Sequence, residues 1–191
     1  MFKLSVQRRV ASTFYELFPK TFPQCKPIWL VDQSQLRKEY RLLQAQHHPD
    51  MVSNGTEPTN AENDQSSLLN QAYHTLKDPL LRSQYMLKVV KNIDLKQEDV
   101  AQKITQNDSQ LLLEVLDVHE QLEEMQNEEE IRTIDKMNKK RIKEIEARLN
   151  DLYKVEDYDT IVNLTVELKY WVNLSKAIKE WEPNQFVKIN H

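Results

Sequence analysis

His47, His48, Pro49 and Asp50 set two imidazoles and a carboxylate side by side in a chain of 191 residues. Adjacent histidines with an acid can ligate a metal or move protons. Either chemistry wants a third group and a pocket, and no further His/Glu pair at ligand spacing follows. The quartet also has a mechanical property. Pro49 fixes its own φ and restrains His48, so an imidazole and a carboxylate are presented rigidly, as docking determinants would be. Other chemistry is excluded by composition. Cys25 is the single cysteine, which rules out an internal disulfide, a Cys-X-X-Cys redox pair and a thiolate cage. Gly55 is the single glycine, against an average usage of about 7%, and leaves no Gly-rich phosphate loop.

The elements that position the quartet are helical. Asp32 is an N-cap for a helix over about 33–46, with Leu36, Tyr40 and Leu43 at i, i+4 and i+7. Pro49 stops it. Upstream, Pro19, Pro23 and Pro27 confine any helix at 12–18 to a short one. Residues 51–62, rich in Ser, Asn, Thr and Pro, form a loop. Leu69, Ala72, Tyr73 and Leu76 mark one face of a second helix ended by Pro79, and residues 81–90 carry a third. Residues 93–106 are polar and weakly periodic, the candidate boundary between two helical units.

Beyond that boundary, Asp108 caps a helix to about Met125, and Asn127 caps one to about Tyr153 with Glu128, Glu129 and Glu130 in its first turn. A last helix covers about 157–181. Three long helices joined by short turns predict an antiparallel bundle, and strand signals are absent, so the fold class is all-α. Leu111, Val115, Val118 and Leu122 converge within about 60° as a core stripe. Leu112 and Leu116 fall roughly 100–140° away, beside Asp117 and Glu120, as a second apolar stripe. In the last helix Leu164, Leu168, Trp171, Ser175 and Ile178 form the inward side, and Val166 and Tyr170 point away from it. Such outward apolar groups suit either a partner surface or a wide core face.

Charge divides the same way. Lys and Arg total 26 against 30 acids, a net −4 that names no nucleic-acid binder. Arg37, Lys38 and Arg41 nevertheless share one side of the first long helix, away from its apolar positions. That patch would steer an acidic partner, if it is more than a solvated face. No apolar run approaches the roughly 18 residues of a membrane helix, so no membrane partner is expected. The first fifteen residues carry Lys3, Arg8 and Arg9, no acid, and interleaved apolar and hydroxyl residues. Residues 1–10 thus have the composition of a mitochondrial transit segment, the alternative being a basic, frayed terminus.

His48-Pro49-Asp50, followed by Leu69-Asn70-Gln71-Ala72-Tyr73-His74-Thr75-Leu76-Lys77-Asp78-Pro79 with Arg82 and Tyr85, and preceded by Tyr15-Glu16-Leu17-Phe18, resembles the J-domain of DnaJ-type co-chaperones over about 11–90. The resemblance implies that His48, Pro49 and Asp50 trigger ATP hydrolysis by a DnaK-type heat-shock ATPase, with Arg37, Lys38 and Arg41 as the electrostatic face. One glycine and one cysteine exclude the Gly/Phe linker and zinc repeats of the general J-proteins. The chain resembles instead the dedicated iron–sulfur assembly co-chaperones of the HscB/Jac type, the mitochondrial yeast members above all, through residues 110–122 and 164–177. It departs from them in a longer loop at 53–66 and from some animal members in lacking an N-terminal cysteine motif.

This resemblance implies that Leu112, Leu116 and Tyr170, with Asp117, Glu120 and Glu124, bind the scaffold protein carrying the nascent cluster. The expected organisation is a transit segment at 1–10, a J-domain helical hairpin at 11–90, a linker at 91–107 and a three-helix scaffold-binding bundle at 108–185, acting in the mitochondrial matrix. No resident cofactor or metal is expected, and the oligomeric state is left open. Two alternatives stand beside this reading: a general J-protein for imported or unfolded chains, and a metal-dependent enzyme built on His47, His48 and Asp50.

Overall fold

The computed structural model describes residues 13–47, 60–97, 109–125 and 127–181, and all regular structure among them is helical. A 3-10 turn at Phe14–Leu17 precedes six α-helices: α1 Gln33–His47, α2 Asn60–Lys77, α3 Pro79–Lys91, α4 Ser109–Glu124, α5 Glu128–Val155 and α6 Tyr158–Lys179. The chain divides into two compact units, Met1–Leu81 and Arg82–His191.

Short polar side chains start the helices, as their sequence positions require. Asp32 Oδ1 accepts from the Ser34 and Gln35 amides at 2.9 Å, and Asp78 Oδ1 accepts from the Leu81 amide at 2.9 Å behind Pro79. Asn127 Oδ1 caps α5 through Glu129 and Glu130, and Asp157 caps α6 through Thr160. The expected Asp108 cap lies outside the described residues. Helix α2 begins at Asn60, inside the stretch expected to be loop, because Leu68, Leu69, Ala72 and Leu76 give it a face to bury and extend it backwards through a polar segment.

In the first unit α1 and α2 form an antiparallel hairpin. Gln33 Nε2 reaches the Lys77 carbonyl, Tyr40 stacks on Tyr73 with centroids 4.1 Å apart, and Gln44 exchanges hydrogen bonds with Ser66. Asn70 Oδ1 accepts from both the Tyr40 hydroxyl (2.6 Å) and Gln44 Nε2 (2.7 Å). Leu36, Leu69, Ala72 and Leu76 are buried between the helices, and Tyr15, Phe18 and Phe22 of the N-terminal segment are buried too, with Tyr15 edge-on to Phe22 at 5.0 Å.

In the second unit α5 and α6 pack antiparallel, and α4 lies against α6. Ile131, Ile134, Asn138, Ile145 and Leu149 form the buried seam of α5 at near-heptad spacing. Its one polar member, Asn138, donates to the Trp171 carbonyl (2.9 Å) and to Ser175 Oγ (2.8 Å). Arg141 is ion-paired with Glu114 of α4 and lies 4.0 Å from the Trp171 ring centroid, so one guanidinium ties three helices. Helix α3 joins from its second turn on, where Ser83 Oγ meets Tyr153 OH (2.8 Å) and Thr165 Oγ1 (2.6 Å).

That fourth helix corrects one expectation. Val166 was expected to point outward but is 4% exposed. Helix α6 has α3, α4 and α5 around it, so its buried arc, which includes Ile161, Thr165, Val166, Leu174 and Ala177, is wider than one inward stripe.

Candidate functional site

The basic candidates lie on α1. Leu36 at 0% exposure fixes which side of the helix is inward, and Arg37, Lys38 and Arg41 are exposed on the other. Among the described residues none of the three has an ion-pair partner. The only acid of α1, Glu39, is 3% exposed, and its two oxygens are occupied by the Lys20 amide (2.8 Å), the Thr21 amide (2.7 Å) and the Thr21 hydroxyl (2.7 Å). A buried carboxylate needs such donors. The Glu39 carboxylate is thus held by Lys20 and Thr21 and makes no ion pair with Arg37, Lys38 or Arg41 among the described residues. His48, Pro49 and Asp50 follow the end of α1 at His47 and lie outside the described residues, as does the 1–10 segment.

The apolar candidates lie on α4 and α6. Leu111, Val115 and Leu122 are buried as the core stripe requires, and Val118 is half-buried. Leu116 is 52% exposed, whereas Leu112 and Tyr170 are half-buried. Asp117, Glu120 and Glu124 are exposed, and with Glu123 they have no cation partner among the described residues. The structure adds Leu113, 61% exposed and one residue from Leu112. Sequence reasoning passed over it as part of a short apolar run, although its position on the acidic side of α4 was legible from the 100° rule. Helix α4 therefore shows two bare leucines among four uncompensated carboxylates, the inverse of α1 in charge.

No group of three or more His, Cys, Asp or Glu residues among the described ones is placed to hold a metal ion. No helix among them is long and apolar enough to cross a membrane. One member of the hydroxyl cluster of the second unit titrates: burial pushes the Tyr153 phenol up to about 12, against a smaller opposing effect of its hydrogen bond to Ser83.

A helical hairpin followed by an all-helical unit, with a bare basic face next to a His-Pro-Asp sequence, defines a J-domain protein with a dedicated C-terminal module. The DnaJ domain model matches residues 30–85, and the model of the HSCB C-terminal oligomerisation domain matches residues 107–179. The chain is 59% identical to the mitochondrial J-type co-chaperone Jac1 of Saccharomyces cerevisiae over the whole of both chains. It is 30% identical to the mouse iron-sulfur cluster co-chaperone protein HscB over 81% of this chain and 64% of that one. The solved structure of Saccharomyces cerevisiae Jac1 superposes with a TM-score of 0.81 at 58% identity, covering 95% of this chain and 100% of that one. The chain belongs to the Jac1/HscB family of J-type co-chaperones.

Proposed function

We propose that this chain is an adaptor in iron–sulfur protein biogenesis: it binds the scaffold protein that carries a nascent cluster, brings it to a DnaK-type heat-shock ATPase, and stimulates ATP hydrolysis there so that the cluster is passed on. The observation that carries the reading is the pair of uncompensated faces of opposite sign, cationic on α1 and acidic with exposed Leu113 and Leu116 on α4. One face cannot serve both partners, since the charge that attracts an acidic surface repels a basic one.

In this reading residues 11–90 act as the J-domain. Arg37, Lys38 and Arg41 steer the ATPase by long-range attraction, and His48, Pro49 and Asp50 make the triggering contact. Leu112, Leu116 and Tyr170 of the 108–185 module form the apolar centre of the scaffold site, with Asp117, Glu120 and Glu124 as its rim, and 91–107 joins the two modules. Tethering both partners to one chain raises their effective concentration for each other. The chain itself performs no bond chemistry; hydrolysis belongs to the ATPase and the cluster to the scaffold. The relative named above is mitochondrial, and with Lys3, Arg8 and Arg9 ahead of the first acid this supports import into the mitochondrial matrix.

The test is a pull-down paired with an ATPase assay on the full chain. Changing Leu112, Leu116 and Tyr170 together to Ala is expected to abolish capture of the scaffold while leaving stimulation of the ATPase near its original level. His48→Gln is expected to do the reverse. Scaffold capture that survives the triple change refutes the patch, and undiminished stimulation by His48→Gln refutes the trigger. Capture of unfolded chains in place of the scaffold would identify a general J-protein instead.

A further inference from the structure

Two residues of the first unit remain unexplained by the three cations. Leu42 is 46% exposed on α1, although Leu36 and Leu43 already supply the inward face. At 100° per residue it stands about 40° from Lys38 and about 100° from Arg41, on the edge that leads round to Glu39. Lys20 is an exposed cation in a tight turn, where the Thr21 and Phe22 amides both donate to the Phe18 carbonyl at 3.1 and 2.8 Å.

The Glu39 carboxylate connects the two. It holds the Lys20 amide at 2.8 Å and grips Thr21 through both amide and hydroxyl. The Lys20 backbone is thereby fixed at Glu39, about 60° round α1 from Leu42. Lys20, like Lys38 and Arg41, has no ion-pair partner among the described residues. We infer that the ATPase-docking face extends past Arg37, Lys38 and Arg41 to a composite surface in which Leu42 is an apolar anchor bordered by Lys20, Lys38 and Arg41. The partner surface that fits it is acidic with an apolar recess, because bare cations surrounding a bare leucine repel a basic surface and leave an all-polar one without a match for the leucine.

The division of labour follows from the chemistry. The cations act at a distance and weaken with salt, whereas Leu42 acts only on contact and does not. Glu39 and Thr21 are positioning residues: they touch no partner and hold Lys20 in place. The inference rests on the proposed ATPase partner, and its test separates the two.

Stimulation of a DnaK-type ATPase is titrated with the full chain as wild type, Leu42→Gln, Leu42→Met, Lys20→Ala and His48→Gln, with circular dichroism and thermal melting as the check on folding. Leu42→Gln is expected to raise the half-maximal concentration about fivefold to tenfold at low and high salt alike, with the maximal rate unchanged, and Leu42→Met to restore it. Lys20→Ala is expected to raise it about twofold to threefold at low salt and to lose that effect at about 0.5 M salt. A folded Leu42→Gln with the wild-type half-maximal concentration, beside an inactive His48→Gln, overturns the anchor and leaves the ATPase reading standing. Failure of the wild-type chain to stimulate overturns both.

Discussion

Removing one hydroxyl at Ser83 should loosen the second unit by an amount the hydrogen-bond geometry sets. Thr165 Oγ1 donates to the Ile161 carbonyl at 2.7 Å, so towards Ser83 at 2.6 Å it can only accept. Ser83 Oγ therefore donates to Thr165, and Tyr153 OH donates to Ser83 Oγ at 2.8 Å. The donations run one way from Tyr153 through Ser83 and Thr165 to Ile161, with the Tyr153 proton shared between Ser83 Oγ and the Ser83 carbonyl, and Ser83 and Thr165 are wholly buried. Ser83→Ala removes two bonds at about 0.5–1.5 kcal/mol each, while the longer bond from the Tyr153 hydroxyl to the Ser83 carbonyl at 3.3 Å stays in place. The expected loss is about 1–3 kcal/mol, or about 4–12 °C in the melting temperature of a unit of this size. Urea denaturation of Ser83→Ala, Tyr153→Phe and the double variant closes the cycle, with a coupling of about 0.5–1.5 kcal/mol expected. Additivity within about 0.3 kcal/mol would refute the proton assignment and with it the claim that Ser83 pins α3 into the second unit.

Two further predictions concern the same unit. Burial holds the Tyr153 phenol near 12 in the fold, against the ordinary 10 of an unfolded chain. The folded state therefore keeps a proton that the unfolded state releases, so the stabilisation is complete below pH 10 and fades as pH rises from 10 to 12. Alkaline melts should show wild type losing up to about 2 kcal/mol more than Tyr153→Phe across that window; parallel curves would contradict it. Asn138→Leu is expected to remove the polar tie to Trp171 and Ser175 without unfolding α5, while admitting a shifted pairing of α5 on α6. Tryptophan fluorescence and amide exchange report this, and a single spectrum with unchanged exchange throughout α6 would count against it.

The helices were legible in the sequence because their signals are local. Asp32 and Asn127 cap where an N-cap is wanted, prolines stop α1 and bound α2, and the apolar spacing gives the inward faces. What escaped depends on contacts distant along the chain. Nothing near residue 166 says that α3 returns to cover α6, so Val166 looked outward on its own helix and is buried in the assembly of four. Likewise nothing close to Glu39 in the sequence shows what holds its carboxylate. Only the turn at Phe18–Phe22, some 18 residues earlier, reveals that the carboxylate is consumed internally. Leu42 and Leu113 were missed for a simpler reason: a leucine in a helix is read as core until burial shows otherwise.

The net charge of −4 conceals how charge is distributed, because it averages a cationic face on α1 and an acidic face on α4. On α1 the single acid is held by the Lys20 and Thr21 amides and the Thr21 hydroxyl and pairs with none of the three cations. On α4 Glu114 is paired by Arg141, and Asp117, Glu120, Glu123 and Glu124 have no cation partner among the described residues. Such arrangements cost folding energy or at best give none, since like charges along one helix repel by a few tenths of a kcal/mol per neighbouring pair. The α5 helix shows the alternative: Arg132–Glu128, Lys139–Asp135 and Lys140–Glu144 are matched at i, i+4. One helix is neutralised and two others are left charged with opposite sign, with exposed leucines beside the unmet charge on both, and the proposed function assigns these two faces to the two partners. Raising the salt concentration should therefore weaken capture of the ATPase and of the scaffold together, while the apolar contacts at Leu42 on one side and at Leu116 on the other hold a residual affinity that salt does not remove.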